Sequence, residues 1–375
     1  MHIDVIRSED EFFALREAWT KIFHAAATNH PFSSFDWAAA WWQTMLPTSR
    51  LQKHEMHILA MYSMGELVAI APLFLTTYGS WFFGGIRYLR PIGSDKNTTE
   101  LRSLVIKPGH EAAASQALAQ YIHSNRQAFD FVKWPDQIVT PSTDSGLTDT
   151  TTVENFILPL GSNWEEFKSS RKRNIKESIR KCYNAPARNG IHLSFEAVED
   201  QAAILQLLPD FYRLHGQRAA GNTDAVHLDY FSSDQSRRFL STLIAGLACV
   251  TPILFIVRHD QKIIAARLAF AMNSSLYLYY SGFDLSYGDY SVTTRLVVEA
   301  MQYAIARNLP LLNLSIGNDL SKTRWSPEVV TYQNTRTISA NLRTRCMAPI
   351  IKRTAAYDNY RQAPASTLLS AENAG

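Results

Sequence analysis

The strongest constraint on this 375-residue chain is an internal echo. Ile58–Leu75 reads ILAMYSMGELVAIAPLFL: an apolar run, a Gly-containing turn and a second apolar run, the pattern of a hairpin of core strands. Ile253–Phe270, ILFIVRHDQKIIAARLAF, repeats it with His259-Asp260-Gln261 as the turn. The segments beyond the two hairpins correspond too. After the first come strand-like WFFGGIRYL, a polar loop, helix-like EAAASQALAQYIHSNRQ and a short strand FDFVKW. After the second come SLYLYYSGF, the loop DLSYGDYS, helix-like VTTRLVVEAMQYAIARN and the strand LPLLNLSI. Two copies of hairpin–strand–loop–helix–strand predict a duplicated α/β module with a mixed sheet.

Between the copies, Pro135–Asn155 is dominated by Thr, Ser and Asp and reads as a linker or a loop over a cleft. In the second module's helix, Val292, Leu296, Val297, Ala300, Met301, Ala304 and Ile305 form one apolar stripe, so the helix should pack on a sheet. The tail after Arg353 is small, polar and expected to fray. From Phe239 to Val257 nineteen residues carry no charge, close to the length of a membrane span. Polar residues and Pro252 divide that stretch, which is expected to be a buried helix ending near Cys249 and then a core strand, with no membrane span.

Composition excludes several classes of partner. With 37 Lys+Arg against 34 Asp+Glu, the net charge of +3 argues against a whole-surface polyanion binder and leaves room for a local basic patch. Cys182, Cys249 and Cys346 are far apart and lack a CxxC pair, so neither a disulfide framework nor a cysteine zinc site is expected. Together with an N-terminus that has acids where a signal peptide is basic, this suits a cytoplasmic protein. The sequence contains no P-loop, no GxSxG and no GxGxxG after a strand. HEMH at His54–His57 lacks the i, i+4 spacing that puts two zinc ligands on one helix face. No metal is expected.

Three clusters remain. The loop Asp284–Ser291 leads into a helix whose N-terminus presents unpaired N–H groups and a positive dipole end, an anion site with Gly288 for turning and Ser291, Thr293 and Thr294 for hydroxyls. An ordinary helix capped by Asp289 or Ser291 explains the same residues. The second cluster, Asn313–Trp325, follows the last strand of that module; Asp319 could serve as a base or orient an amine, and Lys322 could bind an anion. A solvated turn with an Asp–Lys pair is the alternative. The third, Lys168–Lys181, has seven basic residues against one acid and Ile175 and Ile179 four apart. It is expected to be a helix with a thin apolar seam and a basic face that contacts phosphates or simply faces water.

With these clusters the chain resembles the GNAT-fold acyltransferases of the CelD-like family, associated with bacterial cellulose and polysaccharide biosynthesis. The resemblance rests on HPFSSFDWAAAWWQTML, the hairpin ending VAIAPLFL, the basic SRKRNIKESIRK and the closing Gly317, Asp319, Lys322 and Trp325. The family is similar in architecture to Fem-type peptidyltransferases. The resemblance implies tandem GNAT-like modules: residues 1–150 shaping an acceptor cleft, 151–353 binding the acyl donor, and a polar tail over 354–375. An acyl-CoA, acetyl-CoA in the simplest case, would lie where the strands Leu276–Phe283 and Leu311–Ile316 splay apart. Its pyrophosphate would sit at Gly288–Thr293, and its carbonyl would be polarised by backbone donors of Tyr279–Gly282.

The implied catalytic residues are Asp319, Lys322 and Tyr280. The implied donor contacts are Gly282, Tyr287, Gly288, Ser291, Val292, Thr293, Arg171 and Arg173. The implied acceptor contacts are Asp95, Arg267, Asp284, Asn313, Arg324 and Trp325. The family's phosphate loop, Arg/Gln-x-x-Gly-x-Gly/Ala, aligns with Gly288-Asp289-Tyr290-Ser291-Val292-Thr293, where its basic or amide residue and later glycines are replaced. The implied reaction is transfer of an acyl group to the amine of a small molecule or amino sugar by direct attack. A Fem-like transfer from aminoacyl-tRNA, using the basic Lys168–Lys181 face, and a non-catalytic role in a polysaccharide machine are the alternatives.

Overall fold

The computed structural model describes residues 1–26, 30–47, 49, 51–79, 85–95, 98–136, 148–221 and 227–338. By their contacts the residues fall into two compact units: the described parts of 1–28, 32–153 and 331–338, and residues 154–330 with the short 30–31 segment.

The first unit opens with β1 (His2–Ile6), α1 (Glu9–Ala14), α2 (Arg16–Ala25) and α3 (Phe35–Thr44). Ser8 starts α1 with a reciprocal capping box: its hydroxyl accepts from Glu11 N–H while the Glu11 carboxylate accepts from Ser8 N–H. The strands β2 (Gln52–Met56), β3 (Ile58–Ser63), β4 (Glu66–Ala71), β5 (Leu73–Tyr78) and β6 (Ile86–Pro91) come next. Then come β7 (Val105–Ile106), α4 (Glu111–Ser124) and β8 (Phe131–Lys133). β3 and β4 form the expected hairpin, turned by Met64 and Gly65 at φ 50° and 82°. Pro72, which has no N–H for a ladder, separates β4 from β5, and the chain passes there from the sheet β1-β3-β4-β7 to a second sheet. β6 and β8 are parallel and joined through α4, pairing only at Tyr88–Phe131 and Leu89–Val132.

The second unit takes in the end of β9 (Thr148–Pro159), then α5 (Trp164–Ser169), α6 (Arg173–Arg188), β10 (Leu193–Val198), α7 (Gln201–Ala220) and α8 (Asp234–Gly246). β11 (Thr251–His259), β12 (Lys262–Met272), β13 (Ser275–Phe283), α9 (Val292–Ala306), β14 (Leu311–Ile316) and α10 (Leu320–Thr323) complete it. Its strands run in the order β10-β11-β12-β13-β14-β9, antiparallel except for β13 and β14, which are parallel and joined through α9. The chain ends its described part with β15 (Glu328–Ile338), which pairs with β8 of the first unit.

In outline the element order repeats: strand, helices, hairpin, further strand, helix, parallel strand. In each unit the strand before the helices pairs antiparallel with the first hairpin strand, β1 with β3 and β10 with β11.

In the second unit Ile253, Phe255, Val257, Ala269, Leu276, Leu278, Leu312 and Leu314 form one core with α6 and α9. The alternate residues Leu254, Ile256, Leu268, Phe270 and Tyr277 are as deeply buried on the other face, which α7 covers. The uncharged segment divides as expected into α8 and β11, and no helix among the described residues is long and apolar enough to cross a membrane.

Three expectations are corrected. Within the expected loop Pro135–Asn155, residues 148–155 are strand; 137–147 lie outside the described residues, as do 81–84 of WFFGGIRYL and the tail. The basic segment is two helices, because α5 ends at Ser169 and α6 starts at Arg173. In α9 the buried set includes Val298, fully inaccessible, while Val297 and Ile305 are only partly covered. α6 packs on α9 beside the sheet, so the buried face is wider than one stripe. Arg295 and Glu299 lie under it, with the Arg295 guanidinium 3.7 Å from the Tyr183 ring centre.

Candidate active site

β13 and β14 pair only from Ser275–Leu311 to Tyr277–Asn313, whereas β14 stays paired on its other edge with β9, from Leu311–Pro159 to Ile316–Asn155. The two strands thus part toward their C-terminal ends, the place where open α/β sheets bind ligands. At the start of the gap the β12–β13 register slips: Arg267 faces Ser281 and Ala269 faces Leu278, so Tyr279 and Tyr280 stand against the single Leu268. Such a bulge re-aims side chains. Tyr280 turns to an aromatic wall of Tyr230, His215 and Phe231, at ring distances of 4.9, 5.5 and 5.6 Å.

The end of α7 supplies the polar groups at the gap. A Cβ on Gly282 would stand 2.2 Å from His215 N and Leu214 C, so only glycine lets α7 lie this close to β13. That approach brings His215 Nδ1 to Ser281 O (3.1 Å) and Arg218 Nη1 to Ser281 Oγ (2.7 Å). Arg267 reaches the same hydroxyl through Nη2 at 3.1 Å and the Tyr279 carbonyl through Nη1 at 3.3 Å. Arg218 Nη2 donates to His227 Nε2 at 3.1 Å, which places the His227 proton on Nδ1. Burial, and then the Arg218 charge, push His227 down to about 4, so its imidazole is neutral at pH 7.

Asp319 caps α10, its Oδ1 accepting from Ser321 N at 2.9 Å and from the Ser321 hydroxyl. Lys322 Nζ lies 3.5 Å from Asp319 Oδ2 and also donates to the Ile316 carbonyl. Burial alone would raise the Asp319 carboxyl, but Lys322 and the Ser321 donors outweigh it and hold the group below the usual range. The Asp319 charge acts on both Arg218 and His227, so all four side chains belong to one constellation.

The loop after β13 forms a second part. Asp284 is tied to Lys262 Nζ (2.7 Å) and to Ser286 N and Oγ (3.1 and 2.6 Å), which folds Leu285–Tyr290 into a 3-10 turn. The Lys262 hydrogen bond, followed by Ser286, lowers the Asp284 carboxyl to about 2. Tyr287 Oη meets His259 Nδ1 at 2.7 Å. Ser291 then takes a left-handed conformation (φ 54°, ψ 39°), and among the described residues no side chain caps α9. Neither Asp289 nor Ser291 closes that helix end. Among the described residues its first N–H groups have no partner beside Thr293 and Thr294, which suits a phosphate, while exposed Asp289 is the one opposing charge in the turn.

Of the residues expected at a site, Tyr280 and Arg267 lie at the β12–β13 slip beside the gap, Asp319 and Lys322 pair on α10 after β14, and Gly288, Ser291 and Thr293 lie at the α9 end. Others have structural partners. Val292 and Trp325 are core residues, each 1% exposed. Asn313 is fully buried, with its Oδ1 accepting from Ser315 N at 2.9 Å. Arg171 lies over the Phe167 ring and donates to the Trp325 carbonyl at 3.1 Å. Arg173 pairs with Glu177 in solvent. Arg324 lies over the Trp325 ring, 5.4 Å from its centre. Asp95 lies in the first unit, accepting from Trp41 Nε1 (2.8 Å) and from Thr99 Oγ1 and N (2.7 and 3.0 Å). No pattern in the sequence marks Arg218, His227 or Ser281; α7 and β13 bring Arg218 and Ser281 together across 63 residues of chain. A separate cavity of about 620 Å³ between α5, α6 and α9 is lined by Lys168, Lys176, Arg180, Trp164, Tyr183 and Gln302, among others.

This geometry is that of a GNAT-type acyltransferase fold, and residues 169–325 match the acetyltransferase (GNAT) domain family. Across both units the architecture is tandem GNAT-like. The fold is similar to that of FemX, at a TM-score of 0.53 and 11% identity, covering 89% of this chain and 97% of that one. It is likewise similar to a conserved protein of unknown function from Bacteroides thetaiotaomicron, at a TM-score of 0.51 and 10% identity, covering 89% of this chain and all of the other. No curated protein matches the sequence.

Proposed function

We propose that the second unit is an acyl-CoA-dependent N-acyltransferase that moves a short acyl group, acetyl in the simplest case, to a small-molecule amine. The observation that carries this is the open, uncapped N-terminus of α9 beside the gap between β13 and β14. In this reading the α9 N–H groups with Thr293 and Thr294 hold the donor's phosphates. The donor supplies an activated acyl carbon. The chain positions the two reactants and manages the proton. Neutral His227 accepts the amine proton at Nε2 once Arg218 gives up its hydrogen bond to that nitrogen, and Asp319 orients the amine. The nitrogen–carbon bond forms, the carbon–sulfur bond breaks, and the proton passes from His227 to water or to the departing thiolate. Backbone donors along Tyr279–Gly282 would polarise the acyl carbonyl.

The test is product detection by mass spectrometry with acetyl-CoA and a panel of amines, amino sugars among them. His227→Gln and Asp319→Asn should each lower kcat by tenfold or more at unchanged fold. Full activity in both variants would remove this acid–base pair from the mechanism.

A second reading, transfer from an aminoacyl-tRNA, is favoured by the basic cavity, where Lys176 and Arg180 make no ion pair among the described residues. It requires tRNA binding that weakens steeply with salt and is lost in Lys176→Glu/Arg180→Glu. Salt-insensitive or absent binding excludes it.

A further inference from the structure

The cavity between α5, α6 and α9, about 620 Å³, lies away from the transfer gap. Gln302, on its wall, is ten residues along α9 from the open helix end at Val292, about 15 Å at the rise of an α-helix. The volume falls inside the range of roughly 300–1,000 Å³ found for pockets that take small molecules. Its charge is lopsided. Lys168, Lys176 and Arg180 line it against one acid, Glu165, and both Glu165 oxygens are taken by Lys168 Nζ, at 3.0 and 2.8 Å. The single acid of α6, Glu177, pairs with Arg173. Lys176 and Arg180, one turn apart on one face of α6, make no ion pair among the described residues. The rest of the wall suits a flat ring. Trp164 is backed by the Phe167 ring, with 5.8 Å between centres. Tyr183 is fixed through its hydroxyl, which donates to Glu299 Oε1 at 3.1 Å and accepts from Gln302 Nε2 at 2.9 Å, and by the Arg295 guanidinium over its ring. A wall held in place in this way spares a ligand the cost of ordering it.

We propose that this cavity is a second ligand site, for a free nucleoside monophosphate, with its phosphate on Lys176 and Arg180 and its base beside Trp164 and Tyr183. A phosphate monoester carries about −1.5 to −2 charges at pH 7, which matches two cations, and every base has a face that stacks on an aromatic ring. Gln302 offers an amide to the edge of the base. An RNA strand presents the same chemistry, but it is held by a basic groove that tracks many phosphates, whereas these cations close on one bounded cavity. The site is separate from the transfer chemistry, so it stands whether or not the acyl donor is a CoA thioester.

The test is calorimetric titration of the full chain with AMP, GMP, CMP and UMP, then with ribose 5-phosphate, with the nucleoside of each nucleotide that binds, and with tRNA. At least one nucleotide should bind. Its nucleoside, which lacks the phosphate, and ribose 5-phosphate, which lacks the base, should each bind at least tenfold more weakly. Lys176→Gln/Arg180→Gln, at solvent-accessible positions that leave the fold intact, should lose at least tenfold in nucleotide affinity. Thr293→Glu, at the open end of α9, should bind nucleotide as the wild type does. Binding of no nucleotide, equal binding of the nucleoside or of ribose 5-phosphate, unchanged affinity in the α6 double variant, or loss in Thr293→Glu would each overturn the proposal. Binding of tRNA with none of the mononucleotides would overturn it too, in favour of an RNA site. No acyl group is transferred in this experiment, so its failure leaves the acyltransferase reading standing, and an inactive enzyme leaves this site standing.

Discussion

Gly282→Ala should be among the most damaging single-methyl changes in the second unit. The added Cβ would lie 2.2 Å from two backbone atoms of α7, His215 N and Leu214 C, and 2.6 Å from His215 Cα. Backbone cannot rotate aside as a side-chain end can, so α7 must lift from β13. Overpacking in a close-packed core costs about 1–3 kcal/mol, and a clash with main chain belongs at the upper end. For a unit of this size about 3 kcal/mol lowers Tm by roughly 6–12 °C. Gly288→Ala is the control. Its Cβ would have Phe283 Cε2 at 3.9 Å as its nearest neighbour, an ordinary contact, so Tm should stay within about 1 °C. Thermal unfolding followed by circular dichroism distinguishes the two. Lifting α7 also moves Arg218 and His215 off Ser281, so Gly282→Ala should lose ligand affinity even well below its Tm. Equal Tm values for both variants would refute the packing described for α7 on β13.

The first unit allows a stabilising change: Lys133 is 1% exposed and its Nζ has no hydrogen-bond partner among the described residues, so Lys133→Met should raise stability by about 1–3 kcal/mol in denaturant titrations, and a loss would contradict this. Asp284, with its carboxyl lowered to about 2, adds stability above the unfolded value near 4 that disappears as pH falls toward 2; Asp284→Asn should flatten the stability curve across that window and leave the rest parallel. His57 Nε2 shares a hydrogen bond with Tyr121 Oη at 2.8 Å, and burial pushes the imidazole down to about 4. The unfolded chain takes up that proton near 6.5, so stability should decline from pH 6.5 to 4, and His57→Gln should remove part of the slope. Burial raises the Cys182 thiol to about 12, so thiol reagents should modify it only on unfolding, as peptide mass spectrometry would show.

Much of the fold was legible because it is written locally. The hairpins at Ile58–Leu75 and Ile253–Phe270, the helix from Val292 and the strand from Leu311 each carry their own period and turn residues. The parting of β13 and β14 was implied by the family resemblance. Of the polar constellation, Asp319 and Lys322 were legible in the polar loop after the last strand of the module, and the rest was not. Arg218 lies at the end of a helix with an ordinary pattern, His227 stands in no motif, and Ser281 is one serine in an aromatic strand. Only the contact that Gly282 permits brings them together. The cap of α9 was also hidden: Asp289 and Ser291 are both good N-cap residues by type, yet Ser291 turns left-handed and leaves the helix end open. Trp325 illustrates the opposite error, a residue prominent in a motif that serves the core.

Binding of an acyl-CoA by the second unit at the open end of α9 is tested most directly by calorimetric titration with acetyl-CoA, free CoA and a longer acyl-CoA, with Thr293→Glu as the variant. A glutamate in the first turn suits the helix dipole and preserves the fold, while its charge opposes a phosphate. The expected result is micromolar binding that Thr293→Glu abolishes and that Arg173→Glu, in solvent on α6, leaves unchanged. Binding of no CoA species, or equal binding by wild type and Thr293→Glu, would contradict a donor site at this helix end.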